Sequence, residues 1–530
     1  MSVRYVSKYS LVRCVLPILL VCSLAMLGNP AHGQDTNDLE IVPQVIGEVS
    51  APELRTPEQM SQAESAALAA PEQQRLVPFL PGISPSEYDA AKNAAALSAA
   101  PGDLAVKPSA LAGGGPVSII LDGSGINQTA AGGAFPPQTH GAVSRTQFVE
   151  VVDSRFVVFS KNSLSSALGS ASLRAFFGNI VGASDVIVQP RVIFDRDAQR
   201  WIIVASRLPA SSSDTVHRLL LGVSKTSDAT GPFVVFPLNF FGSSFQNGDR
   251  VDLPQLGLDQ GSVLITANVG SSSVRFALVV AINKAKLYSG ISSQPAIFGV
   301  RNLVAPPIVR DHNPKSFFIG TPINGSGNTL QLYTLTNSSN FSTARLTGPV
   351  NIPVPAYSIP PNAHQFGTTD RLQTFDDRFE NTSTQIGNDL WNVHTIASNG
   401  HPKPKFYRVN TVTNTVTSSG FISASATSDD WNASIAANDL DQPVVTWSST
   451  DSLAHINALV RAASGPVGPG TVLVTSPTFY HPTNSGVEPW GNYSAVAIDP
   501  LLSNNAWLVN EKINSGSVWG SQIARVIFAH

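Results

Sequence analysis

The sequence predicts an all-β chain whose repeated hairpins close into a β-propeller of seven four-stranded blades, preceded by a signal peptide and a low-complexity, partly helical arm. Three observations predict it. One hairpin pattern recurs through the chain. The runs between its turns are short and rich in Val, Ile, Leu, Phe and Thr. Both cysteines of the 530 residues, Cys14 and Cys22, fall in the first 33, so the mature chain has no disulfide framework and must rely on a large buried core.

The first residues set the compartment. Arg4, Lys8 and Arg13 form a basic n-region, and Cys14 to Leu27 is an apolar run of h-region length. Gly28, Asn29 and Pro30 end it, and the small Ala31 and Gly33 place cleavage after Gly33, with Gln34 as the mature N-terminus. The run is shorter than the ~20 residues a spanning helix needs. Cys22 follows Leu20 and Val21 without the small residue that lipid attachment requires. Residues 1–33 are thus expected to direct export to the periplasm, cell surface or exterior, with no membrane span left in the mature chain. Their loss removes three basic residues and takes the formal charge from -3 to -6. Charged residues make up only 13%, against ~25% in ordinary soluble proteins. A neutral, hydroxyl-rich surface without basic runs excludes nucleic acid and anionic lipid as partners. A monomer is expected.

Residues 34–115 are rich in Ala, Pro, Glu and Gln and poor in aromatics, the texture of a linker or arm. Two helices can be placed in it. Thr56-Pro57-Glu58-Gln59 and Ser84-Pro85-Ser86-Glu87 each put a capping hydroxyl before Pro at the first helical position, with Gln or Glu three residues on. Pro71 and Pro101-Gly102 stop them.

The propeller is read over 116–530. Gln189 to Asp195 is an extended run that turns and returns as Arg200 to Ala205. The same pattern recurs as Leu253 to Asp259 with Val263 to Thr266, and as Phe148 to Asp153 with Phe156 to Phe159. Further copies turn at Asp311, Asn388, Asn438 and Asp499. Spacings between the seven turns are 42, 64, 52, 77, 50 and 61 residues, enough for a four-stranded blade with loops. Radial closure protects the edges of such sheets. Asp and Asn at these turns cap local backbone groups. Val117 to Leu121 and Ile523 to Phe528 are expected to share one blade and fasten the ring.

Ser224-Lys225-Thr226-Ser227-Asp228-Ala229-Thr230-Gly231-Pro232-Phe233 resembles a stretched Asp-box, the hairpin signature of sialidase-like propellers. Together with Pro190 to Trp201, Leu390-Trp391, Trp431 to Trp447 and Trp490-Gly491-Asn492-Tyr493-Ser494 through Asp499-Pro500, it is similar to exported bacterial β-propeller proteins of unassigned activity. The resemblance covers Arg145 to the C-terminus and implies the fold. Asn492 stands where an acidic residue is more usual, which argues against a metal role there. A sialidase would also bring an arginine cluster and a Tyr nucleophile assisted by Glu. Arg191, Arg275, Arg310 and Arg371 stand at unlike positions in their blades, so that chemistry is not implied for this chain.

Other motifs are absent: no Gly-x-Ser-x-Gly, His-Glu-x-x-His, phosphate-cradling loop or EF-hand. Asp195-x-Asp197 and Asp439-x-Asp441 have a calcium-like spacing, but each stands in a tight turn where a hairpin cap explains it. His140, His364 and His394 could each serve as a base, although none has a visible partner.

Counting one strand length back from the turns brings Asp185, Asp252, Asp377, Asp430 and Asn492 to the opposite mouth of the channel, with Trp431 and Trp490 beside the last two. Carboxylates gathered there would raise one another's pKa or hold a cation such as Ca²⁺ or a sugar-like ligand, with the two tryptophans as stacking faces. Two functions follow. The one expected is a non-catalytic binding or scaffolding propeller for a glycan, peptide or partner protein, because the chain is poor in charge and shows no clear acid/base pair. The alternative is a polysaccharide-acting glycoside hydrolase or lyase with carboxylates at the channel mouth.

Overall fold

The computed structural model describes residues 40–41, 43–67, 79–98, 115–465 and 468–528. The expected signal peptide and its cleavage site lie outside them. Strands account for 54% of the chain and helices for 8%, so the fold is all-β. The strands are arranged as a β-propeller.

Five blades stand as separate sheets. In chain order they begin with the meander His140–Val143, Gln147–Val152, Arg155–Ser160 and Ser163–Ser172. Next comes Val186–Asp195, Arg200–Leu208, His217–Ser224 and Phe233–Phe241. A third is built on Asn302–Ala305, Lys315–Pro322, Ser326–Thr336 and Arg345–Ser358. A fourth holds Asp429–Ala437, Pro443–Asp451, Ile456–Ser464 and Thr471–Thr475. The fifth joins Ala495–Ile498, Asn505–Ser515 and Val518–Ile527 to Ser118–Asn127. Five separate sheets thus stand where seven four-stranded blades are expected. The remaining strands fuse into one nine-stranded sheet, because Pro307–Val309 pairs in parallel with both Arg250–Leu258 and Ser383–Ile386.

The fifth sheet carries the expected closure. Ile523 lies opposite Gly123, Arg525 opposite Leu121 and Ile527 opposite Ser118, so strands from the two ends of the domain share one sheet. Apolar side chains fill the spaces between successive sheets. Ile202, Val204, Leu219 and Leu221 meet Val263, Ile265 and Leu278, and Phe148 and Val157 meet Trp507, Val509 and Ile523 across the closure. Alternation along each strand puts one set of side chains into each neighbouring gap.

One turn differs from expectation. Asp195, Asp259 and Asn438 each follow the first strand of a meander, but Asp153 follows the second. Strand direction alternates, so Asp153 lies at the opposite end, where its Oδ1 accepts from Gln189 N at 2.6 Å. Both hairpins of that meander are apolar, and the residue pattern does not rank them.

The arm packs on the sheets. Ile46–Val49 and Glu53–Arg55 extend the second blade beside Phe233–Phe241. Helix α1 (Pro57–Ala67) follows Thr56, whose Oγ1 and backbone N–H exchange hydrogen bonds with Gln59. Helix α2 (Pro85–Leu97) starts with the reciprocal Ser84/Glu87 capping box. Among the described residues no helix is long and apolar enough to cross a membrane.

Candidate functional site

At the turn end, the hairpin acids serve the fold. Asp195 Oδ1 accepts from the backbone N–H groups of Asp197 and Ala198, and its Oδ2 meets Lys284 Nζ at 2.8 Å. Asp259 caps Gly261 and Ser262, and Asp499 is paired with Lys161. The calcium-like pairs are consumed in the same way. Asp439 is held by Arg196 and Arg310, and Asp441 by Trp391 Nε1 and Arg408.

Midway, one cation closes the channel. Arg191 Nε donates to Pro254 O at 3.1 Å and Nη1 to Asn381 Oδ1 at 2.6 Å, while Nη2 donates to Glu380 O. Its guanidinium lies over the Tyr493 ring. His140 is buried beside it and accepts from Val192 N, and burial together with the Arg191 charge drives its pKa well down. Arg275 and Arg310 are paired elsewhere with Asp249 and Asp439, so they do not gather beside Arg191.

The opposite mouth holds the acids. The loop between Arg371–Leu372 and Ser383–Ile386 enters the channel, turning at Phe375 with φ of 57°. It carries Asp376, Asp377, Arg378 and Glu380, all buried. Arg378 Nε and Nη2 grip Asp376 at 2.7 and 2.6 Å. Asp377 has no hydrogen-bond partner for either oxygen among the described residues. Burial, with the Asp376 charge second, pushes it up to about 8. The same two causes push Glu380 well above the carboxylate range, and its Oε1 is also unbonded among the described residues. Asp252 is completely buried, with neither oxygen hydrogen-bonded among the described residues and Arg250 Nη1 at 3.9 Å. Its charge acts on Arg378, which places it with this group.

The arm packs on the loop that carries Asp376, Asp377 and Glu380. Arg378 Nη2 donates to Leu80 O at 2.8 Å, and Gly82 N to Asp376 Oδ2 at 3.3 Å. From α2, Lys92 Nζ reaches Thr374 Oγ1 at 2.8 Å. Burial lowers the Lys92 amine to about 7 against the pull of Asp376, Glu380 and Asp377. His394 Nδ1 donates to Asp377 O at 2.7 Å, and burial lowers that imidazole to about 3. Near these acids, none of which lines it, is an open cleft of about 730 Å³, walled by Phe79, Pro81, Pro85, Tyr88, Arg250 and Gln373 together with hydroxyl side chains such as Ser211 and Thr483.

Of the residues counted to this rim, Asp252 and Asp377 join one acidic group. Asp185 instead pairs with Arg207 Nε at 2.7 Å, and Asp430 with Lys403 Nζ at 2.8 Å. Asn492 N donates to Gln138 Oε1 at 2.7 Å. These three are spent on protein partners and form no ring for a calcium ion. Trp431 and Trp490 also depart from expectation. They pack edge to face at 5.5 Å and are 0% and 1% exposed, so they are core and offer no stacking face. Asp376, Arg378, Glu380 and Lys92 were not anticipated. The signal available was four charges in five residues at 376–380, in a chain that is only 13% charged.

No family model matches the chain, and no curated protein matches it. Solved structures do resemble it. An exo-β-1,3-galactanase from Phanerochaete chrysosporium is 10% identical with a TM-score of 0.30, covering 74% of this chain and 94% of that one. A subtype N10 neuraminidase-like protein of A/little yellow-shouldered bat/Guatemala/060/2010 is 10% identical with a TM-score of 0.33, covering 66% and 99%. A β-1,3-galactosidase solved with galactodeoxynojirimycin is 10% identical with a TM-score of 0.27, covering 52% and 90%. Likeness this low says nothing of this chain's substrate. The expectation of a non-catalytic binding or scaffolding propeller is nonetheless corrected. A scaffold has no need of buried, incompletely bonded carboxyls with raised pKa such as Asp377 and Glu380, which cost stability.

Proposed function

We propose that the chain is a polysaccharide-acting glycoside hydrolase or lyase that works with carboxyl groups at the loop-bearing mouth of the channel. The observation that carries this reading is the group Asp252, Asp377 and Glu380, unbonded or half-bonded, near a cleft that Arg250 and Gln373 help to wall. Cleavage of a glycosidic bond needs a protonated acid to give the leaving oxygen its proton and an ionised partner to act as base or nucleophile. Asp377, raised to about 8, keeps a proton at neutral pH, and Glu380 is shifted the same way. In this reading one of the two is the acid and Asp252, next to Arg250, is its partner. Segment 79–98 packs on the loop that carries Asp377 and Glu380, so in this reading it lifts to admit substrate.

The finer architecture belongs to the same proposal. We count seven blades by dividing the nine-stranded sheet into Arg250–Leu258 through Ala296–Val300 and Ser383–Ile386 through Thr415–Phe421. The Asp-box-like hairpin is supported by Asp228, whose Oδ1 accepts from Thr230 N and Gln147 Nε2. Export, and a glycan as the ligand, complete the reading.

The test is release of reducing ends, or of unsaturated ends for a lyase, from a polysaccharide panel that includes β-1,3-galactan. Asp377→Asn and Glu380→Gln are compared with wild type. Loss of one essential acid should lower kcat by about 10²–10⁴-fold. An inactive wild type across the panel, or full activity in both variants and in Asp252→Asn, would overturn the reading.

A further inference from the structure

A second group of ligating side chains lies at the same mouth, apart from the acids above. His364 stands in the loop before Arg371–Leu372, His401 opens the strand His401–Asn410, and Asp429 opens Asp429–Ala437. His364 Nδ1 lies 2.7 Å from Asp429 Oδ2, and His401 Nδ1 lies 2.6 Å from Asp429 Oδ1. The ligating atoms of all three residues fall within 4.8 Å of one another.

We propose that His364, His401 and Asp429 bind a divalent first-row transition-metal ion. Two imidazoles and one carboxylate are the donor set that suits such ions, whereas calcium and magnesium prefer oxygen alone. Three protein ligands leave coordination positions open, as sites that bind a further ligand do. With metal–nitrogen distances of ~2.0–2.1 Å, two nitrogens on one ion can stand up to ~4 Å apart. Modest rotation of the imidazoles therefore converts the present hydrogen-bonded arrangement into a coordinating one. The imidazoles have that freedom, at 35% and 23% side-chain exposure, while Asp429 is anchored at 2%.

Hydrogen bonds around the three residues favour the arrangement. The backbone N–H of His364 donates to Asp429 Oδ2 at 2.5 Å, and Thr450 Oγ1 donates to His364 O at 2.7 Å, fixing the loop to the sheet. Such outer contacts orient ligands and strengthen metal binding. Arg371 lies close enough for the Asp429 charge to act on it. It opposes a bare cation, an opposition that an anionic group in an open coordination position would relieve. The inference stands on these residues and not on the hydrolase reading.

The experiment is calorimetry with Zn²⁺ and visible absorption with Co²⁺ on the exported chain stripped with chelator. One ion should bind per chain, with Co²⁺ d–d bands of four- or five-coordinate N/O ligation. His364→Ala and His401→Ala should each weaken binding by at least about tenfold. His481→Ala, at an imidazole bonded to Asn484, and Asp377→Asn should leave it unchanged. Asp429→Asn tests the carboxylate, with circular dichroism as the check on folding. Absence of Zn²⁺ binding in wild type, or equal binding in both histidine variants, overturns the proposal whatever the polysaccharide assay gives.

Discussion

The Arg191 guanidinium lies 3.3 Å from the centroid of the Tyr493 ring, which joins the second blade to the last across the middle of the channel. The same fork donates to Pro254 O, Asn381 Oδ1 and Glu380 O. Arg191→Ala would leave these acceptors unpaired in a closed interior at about 1–3 kcal/mol each. A loss of roughly 3–5 kcal/mol is expected by urea denaturation. Arg191→Lys should recover little, because one compact ammonium cannot reach three acceptors that are met by three separate nitrogens of the planar fork. Wild-type stability in the lysine variant would show that charge alone suffices.

Closure rests on main-chain pairing of Val518–Ile527 with Ser118–Asn127. Truncation after Gly520 removes most of that pairing and bares an apolar edge containing Ile119 and Leu121. The truncated chain should aggregate or lose cooperative unfolding, read by light scattering and by the width of the thermal transition. A melting curve like that of the full chain would mean the ring holds without this seam.

The Asp377 carboxyl titrates near 8 in the folded chain and at ~3.9 unfolded. Between those values the folded state binds a proton that the unfolded state has released. Stability therefore falls as pH rises from about 4 to 8, by up to about 1.4 kcal/mol per pH unit from this group. Asp377→Asn stays neutral and removes that dependence. Denaturant midpoints at pH 5, 6.5 and 8 should show the variant gaining on wild type as pH rises. A difference that does not change with pH would mean Asp377 is not held protonated.

What the sequence disclosed was local or repeated. The Ser84/Glu87 box needs only its own four residues, and the closure follows because a last strand must find a partner. Blade number was less legible, since the parallel bridge at Pro307–Val309 depends on two strands that are not its chain neighbours. Counting strand lengths named Asp252 and Asp377, which lie among the buried acids, but the same arithmetic gathered Asp185 and Asp430, whose partners Arg207 and Lys403 lie on the adjacent strand and on a strand of another sheet. A tryptophan beside an acid reads alike in a core and on a rim, which is why Trp431 and Trp490 were misplaced. Lys92, Asp376, Arg378 and Glu380 belong to a helix and a loop, outside any count based on strands.

Segment 79–98 should open as a unit. Leu80 is completely buried against Val274 and Leu303, and Val274 N donates to Pro81 O at 2.9 Å. Leu80→Ala removes the apolar part of this anchor, at a cost of about 2–4 kcal/mol. The polar ties to Arg378, Asp376 and Thr374 remain, but they reach the arm from the loop it covers. The lost energy should therefore appear as local opening and leave the blades folded. Amides of α2 should exchange about 30- to 1000-fold faster, as 2–4 kcal/mol implies, while those of Asp429–Ala437 keep their protection. Lys92 gives an independent readout, because its amine is 4% exposed in the docked arm and an acylating reagent should label it faster in the variant. If α2 exchanges no faster and Lys92 labels at the wild-type rate, the arm is part of the folded core, and access to Asp252, Asp377 and Glu380 must come by another route.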